Sequence, residues 1–147
     1  MIIIPGEEKS VNKIVIGDAD ALIALVLEND PNHQKSIAVS EVLKKQGNIV
    51  IFPITVFPEA ITSLKRAFNQ PEKAHLINKK FLAGDYNVEY LTPEIMKRAA
   101  EIFDKANSKQ NTLFDAIVAS TAEKLEAEAI FSFDNWYPKL GLKLAEA

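Results

Sequence analysis

A chain of 147 residues, 48% hydrophobic and 25% charged with a formal net charge of −3, suits one globular core rather than a disordered or polybasic protein. No apolar run is long enough to cross a bilayer, and the apolar start Met1-Ile-Ile-Ile-Pro5 is too short for a signal-peptide core, so a cytoplasmic protein is expected. Cysteine is absent, which excludes disulfides and thiolate metal sites.

Residues 1–12 read as an N-terminal extension with a possible edge strand ending at Pro5-Gly6. Lys13 to Gly17 is a short β-branched run, expected as a buried strand with Asp18 at its end. Ala19 to Glu28 suits a helix, which Asn29-Asp30-Pro31 stops. Those residues can also cap the next helix, with Pro31 in its first turn, and that helix runs to Lys44-Lys45-Gln46 before Gly47. Asn48 to Phe52 is a second buried strand, ended by Pro53. Thr55 then caps a helix passing through Glu59 to Phe68. After Asn69-Gln70-Pro71 a further helix reaches about Leu82, and Tyr86 to Leu91 is a third strand. Thr92-Pro93-Glu94 opens a helix with a capping hydroxyl, a first-turn proline and an acid at the positive end. Asn111 or Thr112 starts another, Glu128 to Phe133 is a fourth strand, and Leu142 to Leu144 a short fifth. Strands alternate with helices throughout. The expectation is a single domain over 1–147, a three-layer α/β/α sandwich with a mainly parallel sheet of four to five strands.

In open parallel sheets, ligands bind beyond the carboxyl ends of the strands. Asp18 and Asp134 follow the first and fourth strands, while Glu59 and Asp115 lie near the starts of helices. All four can point toward one sheet edge. Carboxylates brought together repel one another, and a cation relieves that cost. An oxygen-only donor set, with neither Cys nor a His cluster, suits Mg2+ or Mn2+ rather than Zn2+. Setting aside Asp18, Asp20, Glu59, Asp115 and Asp134 leaves 15 acids against 17 Lys and Arg, so the rest of the chain is slightly basic and RNA is compatible with the charge balance.

Each residue alone has a plainer reading. Asp18 and Asp20 can cap the first helix, Thr112 to Asp115 fits a capping box, and Asp134-Asn135 fits a turn. Trp136 and Tyr137 either stack on an RNA base or seal the end of a core. Lys65-Arg66, Lys79-Lys80 and Lys97-Arg98 either meet phosphates or form solvated helix faces, and Leu76, Ile77 and Phe81 have the spacing of core or dimer packing. What favours a site is four acids together at one edge.

At this point the sequence resembles the PIN-domain family. IVIGDADALIAL is similar to the family's opening strand and first acid, and FPITVFPEAITSL to the second acidic motif with Glu59. NTLFDAIVASTAEKL is similar to the third, with Asp115, and AIFSFDNWYPKLGL to the fourth. The resemblance spans about residues 13–144 and implies a Mg2+- or Mn2+-dependent RNA phosphodiesterase. Many small members are VapC-type toxins, paired with an antitoxin and often homodimeric. It implies Asp18 and Asp115 as ligands of the principal metal, Asp134 and Glu59 as completing the cluster, and Asp20 as a supporting residue, since a small polar side chain is common there. Thr112 is placed to bond the site or a substrate phosphate, and Lys65, Arg66 and Trp136 are candidate RNA contacts. The substrate is expected to be single-stranded RNA, cut to leave 5′-phosphate ends, because a near-neutral rim cannot open a stable duplex. Two rivals remain. Asp18-Ala19-Asp20 also looks like the acid pair of haloacid-dehalogenase-type phosphatases, although no later Lys and paired-acid motif accompanies it. A non-catalytic module that binds RNA or protein is the other.

Overall fold

The computed structural model describes residues 13–147; the extension over 1–12 and its possible edge strand lie outside the described residues. Among the described residues four strands, β1 (Ile14–Gly17), β2 (Ile49–Pro53), β3 (Asn87–Glu89) and β4 (Ala129–Phe131), form one sheet in the order β3-β2-β1-β4, with each of these pairings parallel. The expected fifth strand is reduced to a single parallel bridge between Ile130 and Leu144.

Helices cover both faces. Along β1, Val15 and Ile16 point to opposite sides, as strand alternation requires. Ile16 joins the larger core with residues of α1 (Ala19–Val26), α3 (Val56–Arg66), α4 (Pro71–Leu82), α5 (Pro93–Asp104) and α6 (Leu113–Lys124). Val15 joins a smaller core with Phe131 and with Val39 and Leu43 of α2 (His33–Lys45). Gly17 ends β1 against Phe52, whose ring occupies the place a Cβ would need.

Several boundaries differ from the sequence expectation, for local reasons. Pro31 lies before α2, not in its first turn, because Asp30 Oδ1 accepts the Asn32 N–H at 2.8 Å and holds residues 30–32 as a turn. Thr55 stands at the α3 cap position but its side chain makes no cap bond. Thr92 and Thr112 do cap, accepting from Ile95 and Asp115 N–H, each at 3.2 Å. β4 stops at Phe131, two residues early, because Ser132 and Phe133 turn their polar groups toward acids of another segment.

The chain moves from β1 outward to β2 and β3, then crosses back to place β4 on the other side of β1. The strand order therefore reverses between β1 and β4. At such a switch point the flanking connections diverge and leave a crevice at the carboxyl edge.

Candidate active site

Asp18 closes β1 at that crevice and is buried, at 4% exposure. One carboxylate oxygen accepts the Ala19 N–H at 2.7 Å, so Asp18 is the cap of α1. The other accepts the Tyr137 hydroxyl at 2.7 Å and the Ser132 hydroxyl at 3.2 Å. The capping reading and the site reading are thus satisfied by different oxygens of one side chain. Burial, foremost, pushes the Asp18 carboxyl well above the usual range; the charge of Asp20 raises it too, the Tyr137 bond opposes this, and Asp115 and Glu59 add further repulsion.

Asp20 is tied into the same knot. Its Oδ2 accepts from Phe133 N–H at 2.8 Å and from Ser132 Oγ at 2.9 Å, and its Oδ1 from Ala21 N–H at 2.7 Å. Ser132 consequently bridges both acids of α1 to the segment after β4. Burial raises the Asp20 carboxyl, and those donors pull against it.

Asp134 lies three residues beyond β4 and accepts the Trp136 N–H at 2.9 Å, which sets it at the head of the short helix α7 (Trp136–Lys139). Asp115 completes a reciprocal capping box with Thr112, one Asp115 oxygen accepting the Thr112 N–H at 3.1 Å. Its carboxyl is raised by burial, lowered by the Thr112 bonds and raised again by Asp134. Glu59, in the first turn of α3, is half-buried and lifted to about 7 by burial and then by the charges of Asp115 and Asp20. It is the one acid of the five without a side-chain hydrogen bond among the described residues. The charges of Asp20, Asp115 and Glu59 act on Asp18, those of Asp115 and Asp20 on Glu59, and that of Asp134 on Asp20 and Asp115, which puts the five in one electrostatic neighbourhood.

Among the described residues, Lys and Arg pair with Glu128, Glu101, Glu123 and Glu94, and none pairs with these five acids. Such a cluster is costly unless a cation joins it. The donor chemistry, carboxylates only, suits a hard divalent ion. No three described Asp, Glu or His side chains already stand at the spacing of a closed metal site. Asp115 commits one oxygen to the α6 capping box and Asp134 one to the Trp136 N–H, and each keeps the second for another partner. A cavity of about 500 Å3 lies along the amino end of β1 and the C-terminal segment and contains none of the five. An open edge, unlike a closed pocket, admits a polymer.

The other sequence candidates separate. Lys65 and Arg66 are exposed in the last turn of α3, roughly 9 Å along the helix from Glu59. Trp136 is half-buried and packs against the larger core, tilted on Tyr137 at 6.1 Å between centroids. Sequence reasoning missed Ser132 and the role of Tyr137. Tyr137 is fully buried, and burial together with Asp18 raises its hydroxyl above the ordinary range. Only the FSFDNWY stretch signalled them, as polar groups in an otherwise apolar run after a strand.

A family model described as PIN domain matches residues 15–141. No curated protein matches in a sequence search. Among solved structures, the chain is similar to the VapC20 sarcin–ricin loop cleaving toxin of Mycobacterium tuberculosis, with TM-score 0.76 and 18% identity over 90% of this chain and 99% of that one. It is similar to VapBC2 of Rickettsia felis, solved bound to a promoter DNA fragment, with TM-score 0.65 and 15% identity over 89% and 96%. A toxin–antitoxin complex from Klebsiella pneumoniae gives TM-score 0.56 and 14% identity over 82% and 86%.

Proposed function

The chain belongs to the PIN-domain family, and from that premise we propose that it is a metal-dependent endoribonuclease, the toxin of a toxin–antitoxin pair. The observation that carries this reading is the cluster of five acids, without a Lys or Arg partner among the described residues, about the carboxyl edge between β1 and β4. The similarity of the fold to a sarcin–ricin loop cleaving toxin and to toxin–antitoxin complexes supports the substrate class and the partner.

Asp18, Glu59, Asp115 and Asp134 would hold Mg2+ or Mn2+. Bound there, such an ion supplies an acidified water and screens the charge growing on phosphorus. The chain's own residues do the positioning. Tyr137 and Ala19 fix the two Asp18 oxygens, so its carboxylate cannot swing away. Thr112 orients Asp115. Asp20, through Ser132 and Phe133, ties the segment carrying Asp134 to α1 and sets its height at the edge. Glu59, with no side-chain hydrogen bond among the described residues, would keep both oxygens for the ion, and the charge of that ion would offset the repulsion that lifts its carboxyl in the metal-free protein. The phosphatase reading requires Asp18 to attack as a nucleophile, and its burial beneath Tyr137 argues against that.

The test is cleavage of labelled single-stranded RNA by purified protein, with Mn2+, with EDTA, and with Asp115→Asn. Cleavage that needs the ion and Asp115 supports the reading. A metal-loaded protein inert on structured and unstructured RNA overturns it in favour of a binding module.

A further inference from the structure

An RNA chain that approaches five carboxylates meets repulsion everywhere except where a cation stands. The basic pairs singled out from sequence do not lie there, Lys65-Arg66 being at the far end of α3 from Glu59. One lysine does. Lys35, in the first turn of α2, carries its Nζ 5.5 Å from the centroid of the Phe133 ring. Phe133 is the residue whose N–H bonds Asp20, and it directly precedes Asp134. The Lys35 ammonium therefore rests on the side chain of the residue that lies between Ser132 and Asp134.

The placement has physical causes. The Ser36 hydroxyl donates to His33 O at 2.7 Å, and a His33 ring nitrogen meets Ala24 O at 2.6 Å, which fixes the first turn of α2 against the end of α1. Phe133 in turn packs edge-on to Phe131, with ring centroids 6.4 Å apart. The ring face left over attracts a cation by about 0.5–1 kcal/mol at an exposed site. Lys35 forms no ion pair among the described residues. Its side chain is exposed, available to an anion from solution.

We infer that Lys35, steadied on the Phe133 ring, binds a backbone phosphate of the RNA beside the scissile one and so admits the polyanion to the acid cluster. This rests on the ribonuclease reading and adds a substrate contact to it. Lys35 touches a neighbouring phosphate, not the reacting atoms; it is a binding residue.

The experiment uses a fluorescein-labelled single-stranded RNA and anisotropy across a salt series, in Mn2+ and in the Asp115→Asn background so that the RNA stays intact. Lys35→Ala should weaken Kd several-fold and lower the slope of log K against log salt by about 0.7, the value for one phosphate contact on a single strand. Lys35→Arg should keep the slope. Lys44→Ala, at the other end of α2, should leave both Kd and slope unchanged, and thermal melts should show all three variants folded. A slope unaffected by Lys35→Ala, in a protein that binds and cleaves RNA, overturns the role of Lys35 and leaves the nuclease intact. A parent protein that binds no RNA at any salt overturns the nuclease reading, and this assignment with it.

Discussion

Replacing Glu59 with glutamine tests the electrostatic argument at the one acid whose carboxyl is lifted to about 7 from an ordinary 4.5. Folding must hold this group where ionisation is disfavoured. Below about pH 4.5 it is protonated in both folded and unfolded chains and contributes nothing. Between 4.5 and 7 the unfolded chain ionises while the native one resists, so stability falls as pH rises, and above 7 the penalty is constant. Fully transmitted, that gap corresponds to about 3.4 kcal/mol. Glu59 is only half-buried, and solvent screening reduces the figure to about 1.5 kcal/mol. Glu59→Gln removes the penalty. In EDTA the variant should melt about 3–6 °C above wild type at pH 8 and together with it at pH 4. In saturating Mn2+ the order should reverse, since wild type gains a ligand and the variant does not. Differential scanning calorimetry over the pH series reads this directly. Equal melting at pH 8, or a gain as large at pH 4, would refute the claim that charge repulsion strains this site.

Metal itself should raise the wild-type Tm, by an amount equivalent to about 2.7 kcal/mol at a hundredfold excess over Kd, and Asp115→Asn should blunt the rise; a flat titration counts against the cluster. Tyr137→Phe removes the hydroxyl that fixes Asp18 and should lower kcat while costing about 1–3 kcal/mol of stability; wild-type kcat in a folded variant would show that the bond has no part in positioning. Gly17→Ala forces a Cβ into the Phe52 ring and should destabilise by about 1–3 kcal/mol, measured by urea melts, with a neutral result contradicting the close packing at the end of β1. On α4, Ile77 enters the core and the Phe81 ring packs tilted against Phe57, leaving Leu76 and Leu82 outside. If those two carry the expected homodimer, Leu82→Glu should shift sedimentation toward monomer, and an unshifted dimer would place the interface elsewhere.

The fold class was legible because its signals are local. Short β-branched runs such as Ile14 to Gly17 declare buried strands, and Thr92-Pro93-Glu94 and Thr112 to Asp115 declare helix starts that the structure keeps, with their cap bonds. The order of strands and helices then left few topologies, and four acids at strand ends or helix starts pointed to one edge. Boundaries were less legible. Ser132 and Phe133 continue the apolar pattern of β4, and only their bonds to Asp20 show why the strand ends before them. The relation of Lys35 to Phe133 left no local trace either. Asp18 meets Tyr137 across 119 positions of sequence, and Asp20 meets Ser132 across 112. Such contacts depend on which strands pair and how far each helix carries the chain. Hydrophobic period and capping chemistry act within about two helical turns and fix the elements; burial and charge act through space, so the site's hydrogen bonds and raised carboxyls were decided only when β4 came to lie beside β1.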